Sequence, residues 1–358
     1  MGKAKHYIAV TVLVILGTLG LRGALAFLYR LPEAASTQAG HIDVMFNVHF
    51  WLIAFLFSLI MVFMLYSIAF FRRKEGDDEP GRHVHGHTAL EIIWTIIPVA
   101  VVIGFGIWGV SVLNALTAKQ ANEMTVKVYG QQWSWQFEYP EQENITSAIL
   151  VLPVDQPILL EMESRDVLHS FWIPEFRVKQ DLVPHTLTHL RITPTEEGDY
   201  TVRCAEICGF DHSGMLADVR VVNQSEFDAW VAERLDVPAY SEMTPEERGE
   251  IWYTELGCSG CHNLTGDPGG AGPTWAGIYG REEALNDGTT ITVDDAYILE
   301  SIMDPNAKIV DTFAEPSLME TQGYETRIPE REAELLASEG VEIDIIDDLI
   351  AFMQTIEE

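Results

Sequence analysis

The chain has 358 residues, 47% of them hydrophobic, and a formal net charge of −32. That length leaves room for two or three domains and a sizeable core. The charge excludes nucleic acid as a partner, because a phosphate backbone would be repelled.

At the N-terminus, Lys3 and Lys5 precede an apolar run from Tyr7 to Leu21, followed by Arg22 and GALAFLY. Residues 1–45 therefore read as a signal peptide, with small residues near Ala24–Ala26 or Ala34–Ser36, or as an extra transmembrane helix. Two further runs, Asn47 to Phe71 and Ile92 to Leu116, contain no Asp, Glu, Lys or Arg. Each is long enough to cross a hydrocarbon core of about 30 Å, so residues 46–118 are expected to form a transmembrane hairpin. Pro98 and Gly104 are tolerable there, since neighbouring helices can satisfy freed backbone groups. The connecting loop, RRKEGDDEPGRHVHGHT, opens with Arg72, Arg73 and Lys74. Basic residues beside a membrane mark the cytoplasmic side, which puts everything after Leu116 outside. His83, His85 and His87 in this loop read as solvated residues.

From 119 to 224 the pattern changes to short strands. MTVKVYG and TLTHLRITP alternate apolar and polar residues, and WSWQFEYP, PILLEMES, DYTVRC and LADVRVV are bounded by turn formers. About six such runs predict an all-β sandwich. Residues 225–247 hold a short helical stretch and a Pro-punctuated linker. Residues 248–358 alternate helical runs with Gly/Pro loops and predict an all-α domain. A Thr-x-x-Glu capping box at Thr244 precedes its first helix, and EIDIIDDLIAFMQTI is an amphipathic terminal helix. Most of the acidity lies here, about −22 from Ser241 onward. It suits either solubility in salt or docking of a basic or uncharged partner.

The four cysteines form two close pairs, Cys204 with Cys208 and Cys258 with Cys261, which is not the pattern of a disulfide scaffold. The first pair lies in CAEICGFDHSGM, residues 204–215, between two strands. Gly209 and Gly214 permit tight turns, so the loop can gather Cys204, Cys208, His212 and Met215. Thiolate, imidazole and thioether together favour copper. The alternatives are a Cys204–Cys208 disulfide, a zinc site or inert buried thiols. His169, in DVLHSFWIP, is placed to join the loop from another edge of the sandwich. Two thiolates can bridge two metal ions and spread one unpaired electron over both. The second pair lies in GCSGCHNL, which carries C-x-x-C-H, the covalent attachment signature of haem c. A thioredoxin-like pair is the alternative, but it wants a βαβ setting.

These segments resemble subunit II of cytochrome c oxidase with its dinuclear copper (CuA) centre. Membrane hairpin, aromatic strand, upstream His and ligand loop follow in that family's order. The resemblance implies a cupredoxin-like sandwich in which His169 and His212 each bind one copper and Cys204 and Cys208 bridge both. Met215 is then a weak ligand to one copper and the backbone carbonyl of Glu206 to the other. The Glu206 side chain reaches towards magnesium at the border with subunit I. GQQWSWQFEY resembles the family's aromatic strand, in which Trp133 conducts electrons; core packing of Trp133, Trp135 and Phe137 is the structural alternative. LEIIWTIIP resembles the start of the second membrane helix, where Glu91 marks a proton-uptake entrance, although a helix dipole also favours an acid there. Where the family has a Pro-Gly turn followed by Arg, this chain has LVPHTL, and His185 and His189 are unassigned.

The C-terminal region resembles small cytochromes c. Cys258 and Cys261 then anchor the porphyrin, His262 ligates iron, and the loop GPTWAGIYGR supports that His through Pro273. YILESIMDPNAKIVDTFAEPSLM ends in the second axial ligand, Met319, with Glu320 replacing the usual Pro; Met303 falls on the preceding helix as core. The whole is similar to a haem–copper oxidase subunit II with a fused cytochrome c domain, the caa-type arrangement, in the plasma membrane of a prokaryote. Its partners would be subunit I, which reduces oxygen and translocates protons, subunit III, an external electron-donor protein and the lipid bilayer. The copper and haem domains would stand on the periplasmic side, with no catalysis in this chain itself. A nitric oxide reductase copper subunit and a membrane-anchored copper carrier are the alternatives, while quinol-oxidising relatives lack the copper ligands.

Overall fold

The computed structural model describes residues 3–73, 76, 85–236, 238–267, 270–313 and 315–357. Lys74 and His83 of the connecting loop lie outside the described residues. The chain divides into two compact units, one up to Ala118 and one from Lys119 onward.

The first unit holds three helices, α1 (Lys3–Leu28), α2 (Thr37–Phe70) and α3 (Thr88–Thr117), each long and apolar enough to cross a membrane. Most of their apolar side chains face outward, as expected where lipid replaces water. Helices α1 and α2 run antiparallel. His6 Nδ1 lies 2.8 Å from Tyr66 Oη, and Arg22 Nη2 donates to Asn47 Oδ1 at 2.6 Å. Between them, a Cβ on Gly17 would lie 3.2 Å from Ser58 Cβ, so the small residue permits a close crossing. Helix α2 starts at Thr37, earlier than the charge-free run at Asn47. Ser36 caps it through Ala39 N–H, and Asp43 is carried inside the helix.

The second unit begins with ten strands. They are β1 (Met124–Gln131), β2 (Ser134–Tyr139), β3 (Ile145–Ser147), β4 (Leu150–Pro153), β5 (Ile158–Ser164), β6 (His169–Trp172), β7 (Lys179–Leu182), β8 (Thr188–Ile192), β9 (Gly198–Cys204) and β10 (Leu216–Val222). Two five-stranded sheets result, ordered β3-β2-β1-β5-β8 and β4-β10-β9-β6-β7. The long strands show the expected alternation: Met124, Val126 and Val128 of β1 are buried, as are Ile158, Leu160 and Met162 of β5. The four strands beyond the expected six are short, and β4 is buried throughout, so period two cannot mark them. Tyr139 Oη ties the sheets together, accepting from Val151 N–H at 2.7 Å and donating to Val151 O at 3.0 Å.

Helix α4 (Gln224–Leu235) follows, capped by Asn223, and sets Trp230 edge-on against Tyr139. The C-terminal region is helical apart from a small ribbon. It comprises α5 (Pro245–Glu255), the ribbon β11 (Glu282–Ala284) and β12 (Thr290–Thr292), α6 (Asp295–Met303), α7 (Tyr324–Glu339) and α8 (Ile345–Thr355). The Thr244–Glu247 capping box forms as expected. Helices α5 and α8 cross closely at Gly249, where a Cβ would lie 2.1 Å from the Asp348 carbonyl oxygen. Beside that crossing, Asp348 is buried at 2% exposure. It accepts from Arg248 at 2.6 and 2.7 Å and from Trp252 Nε1 at 3.0 Å. Removing one partner would leave an uncompensated buried charge. Asp348→Ala is therefore expected to destabilise this region by about 3–5 kcal/mol, read as a lowered midpoint in denaturant unfolding.

Candidate functional site

His169 opens β6 and Cys204 closes β9, and pairing of these strands sets Phe171 opposite Cys204. The loop between β9 and β10 is held at both ends. Ala205 N–H donates to Ser170 O at 2.9 Å, and Met215 N–H to Asp211 O at 3.1 Å. Five soft donors converge as a result. Cys204 Sγ lies 3.7 Å from Cys208 Sγ and 4.0 Å from His169 Nδ1. Cys208 Sγ lies 3.5 Å from His212 Nδ1 and 3.8 Å from Met215 Sδ. The Glu206 carbonyl oxygen stands 3.2 Å from Cys204 Sγ, while the Glu206 side chain is exposed.

Sulfur atoms 3.7 Å apart are not bonded, since a disulfide needs about 2.05 Å, so the Cys204–Cys208 disulfide alternative is not what the fold forms. Contact with Cys208 pulls the Cys204 thiol well below its ordinary range, helped by His169 and opposed by burial; the same pairing and burial push Cys208 up. Two thiol sulfurs, two imidazole nitrogens, a thioether and a carbonyl gathered where the loop meets β6, with the sulfurs buried, suit a pair of soft metal ions rather than a hard cation. His169, Cys204 and Cys208 place their ligand atoms within 4.8 Å of one another.

Several supporting residues escaped the sequence reading. His169 Nε2–H donates to Asp166 Oδ1 at 2.7 Å, which leaves Nδ1 free to face the sulfurs. Burial opposes ionisation of Asp166, yet His169 and the N–H groups of Gln132 and Val167 more than offset it and hold the carboxyl below its ordinary range. Trp135 Nε1 donates to Met215 O at 3.3 Å, and its ring meets His169 edge-on at 6.2 Å. A Cβ on Gly130 would lie 3.3 Å from His169 Cδ2. The spacing Asp-x-x-His in DVLH was the one signal available in the sequence. Asp166→Asn is expected to weaken copper retention about 10–100-fold, measured by competition with a chelator.

The second site is built after α5. Residues Cys258–Gly260 form a 3₁₀ turn, and His262 N–H donates to Cys258 O at 2.9 Å. His262 is buried, and its Nδ1–H donates to Pro273 O at 2.7 Å, leaving Nε2 with its lone pair. Burial holds this imidazole below its ordinary pKa, partly offset by the Pro273 carbonyl, so the ring is neutral and able to ligate. Gly272 presses on the ring, since a Cβ there would lie 2.5 Å from His262 Cε1. Burial pushes both Cys258 and Cys261 up to about 12. A redox dithiol needs a lowered thiol pKa, so the thioredoxin-like alternative finds no support. His262 and Met319 line the same three adjoining cavities, two of them shared with Cys261, whereas Met303 lines none of the three. The donor set and its apolar surround fit a covalently held porphyrin.

Trp133 is 3% exposed and lies against the ligand loop, with Phe210 at 6.5 Å. In the first unit, Glu91 Oε1 accepts from His87 N–H at 3.0 Å, and His87 Nδ1 accepts from Leu90 N–H at 3.3 Å. These two contacts cap the start of α3. Away from both sites, His189 Nε2 stands 3.8 Å from Glu161, and His185 sits in a turn with φ 60°.

Comparison with known proteins gives two family matches. Residues 146–222 match cytochrome c oxidase subunit II, periplasmic domain, and residues 24–112 match its transmembrane domain. The chain is 33% identical over 231 residues to cytochrome c oxidase subunit 2 of Alkalihalophilus pseudofirmus, covering 62% of this chain and 68% of that protein. It is 30% identical over 284 residues to cytochrome c oxidase subunit 2 of Synechocystis, covering 63% and 85%. Among solved structures, the periplasmic domain of subunit II of cytochrome oxidase of Bradyrhizobium japonicum matches with 29% identity and a TM-score of 0.31, covering 32% of this chain and 96% of that one.

Proposed function

The chain belongs to the cytochrome c oxidase subunit II family, and on that premise we propose that it takes electrons from an external donor at a haem c site and delivers them through a dinuclear copper site to an oxygen-reducing partner subunit. Its role in a terminal respiratory oxidase is electron input. The observation that carries the finer reading is the convergence of five donors, four from the 204–215 loop and His169 from β6, with the three sulfurs buried.

His169 and His212 would each hold one copper, Cys204 and Cys208 would bridge both, and Met215 and the Glu206 carbonyl would complete the set. Bound there, a copper pair supplies one-electron chemistry with the charge spread over two nuclei. The residues do the rest: Asp166 orients His169, Trp135 braces Met215, and the sandwich excludes water from the sulfurs. In the C-terminal domain, residues 248–358, Cys258 and Cys261 would hold the porphyrin, with His262 and Met319 as axial ligands. A haem so held supplies a one-electron acceptor whose potential a methionine sulfur raises.

Trp133, packed on the copper loop, is the proposed conductor of electrons into the copper site. Glu206 is the proposed magnesium ligand at the border with subunit I, and Glu91 the proposed proton-uptake entrance. Subunit III is a further proposed partner. Arg72 and Arg73 beside α2 support an orientation with both redox sites on the periplasmic side.

A metal and haem count on the purified protein, with its electron paramagnetic resonance spectrum, tests this reading. Two coppers, one covalent haem and a seven-line copper hyperfine pattern are expected. One copper without haem would indicate a carrier, and a colourless ion would end the proposal.

A further inference from the structure

Both candidate sites meet on the short segment Gln131–Gln132–Trp133, where β1 ends and the chain turns into β2. Gln132 bonds in three directions. Its backbone N–H donates to Asp166 Oδ2 at 2.7 Å, the carboxylate that also holds His169. Its side-chain Nε2 donates to the Cys208 carbonyl at 2.6 Å. Its Oε1 lies 3.3 Å from Thr321 Oγ1, in the same 3₁₀ turn as Met319, and shares that hydroxyl's one proton with Leu318 O at 2.8 Å. One amide therefore touches the copper loop with its donor and the haem-ligand turn with its acceptor.

The flanking contacts bring the two domains' backbones together. Gln131 Nε2 donates to Leu256 O at 3.1 Å, just before the C-x-x-C-H turn. Gly260, between the two cysteines, lies on Trp133: a Cβ there would stand 2.9 Å from Trp133 N. At Gly257, with φ 84°, a Cβ would come within 1.7 Å of Gln131 Nε2. Glycine at both positions is what permits the approach.

We propose that Gln132 is a positioning residue that sets the spacing between the Cys208 loop and the Met319 turn, and with it the rate of electron transfer between the two sites. This rests on the electron-transfer reading above. Only a side chain with a donor and an acceptor on one short stem serves both contacts: glutamate forfeits the donor to the Cys208 carbonyl, and leucine forfeits both. The same packing covers Trp133 with the chain's own C-terminal domain.

The test uses the full-length protein carrying both cofactors. Electron redistribution between haem and copper after photoreduction is compared in the wild type, Gln132→Ala, Thr321→Val and the double variant. Hydrogen exchange of peptides covering 256–262 and 318–323 is followed in parallel. Gln132→Ala and Thr321→Val are each expected to slow redistribution about fivefold, the factor equivalent to one hydrogen bond. Exchange at 318–323 should rise in both, with copper and haem spectra unchanged. The double variant should be no slower than Gln132→Ala, because the two side chains act through one contact. Unchanged rate and exchange in a fully loaded Gln132→Ala protein overturn the positioning role alone, as does strict additivity. A wild type that binds neither two coppers nor haem overturns the electron-transfer reading itself.

Discussion

Cys208→Ala is expected to abolish the dinuclear copper signal and lower copper retention by more than about 100-fold, the upper end of what loss of an outer-shell partner costs. Cys208 is the hub of the site: its sulfur lies within 4 Å of Cys204 Sγ, His212 Nδ1 and Met215 Sδ. Without it, Cys204 keeps His169 and the Glu206 carbonyl on one side, while His212 and Met215 lose their sulfur neighbour on the other. A bridge between two nuclei needs both thiolates, so at best a single copper should remain. Copper analysis and the resonance spectrum together give the answer, with four hyperfine lines expected where the wild type gives seven. Two coppers retained with seven lines would remove Cys208 from the bridge. The folded sandwich should survive, because most of its buried apolar side chains come from the strands of both sheets and the loop contributes few of them.

The second large effect is expected at Met319. Axial ligands govern haem potentials over a span of about 0.8 V, and loss of a methionine sulfur lowers the potential. For Met319→Ala we expect a fall on the order of 0.2 V, which for one electron disfavours reduction by the donor about a thousandfold. Met303→Ala should leave the potential nearly unchanged, because Met303 packs against the helical core and lines none of the three cavities that Met319 shares with His262. Spectroelectrochemical titration of both variants discriminates the two methionines. A fall in potential for Met303→Ala instead would reverse the assignment. The covalent haem should remain in both, since Cys258 and Cys261 are untouched.

What was legible in the sequence is what short-range chemistry specifies. A charge-free run of sufficient length can span a bilayer whatever surrounds it, and both such runs lie in helices long and apolar enough to do so. Alternation marks a strand half-buried in a sheet, so β1 and β5 could be read, while β4, buried on both faces, could not. The loop 204–215 and the C-x-x-C-H turn carry their donors within a dozen residues, and the chemistry of those donors narrows the cofactor before any fold is known.

Tertiary structure alone decided the contacts between distant segments. Arg248 meets Asp348 because α5 and α8 cross at Gly249, and neither helix carries a signal for the other. Gln131 reaches Leu256, and Gln132 spans from Cys208 to Thr321, only once the sandwich and the helical region are packed together. Trp135 looked like core and proved to brace Met215. Local propensity is a property of neighbouring residues, whereas the partner of a buried polar atom is chosen by which faces the whole chain must hide from water.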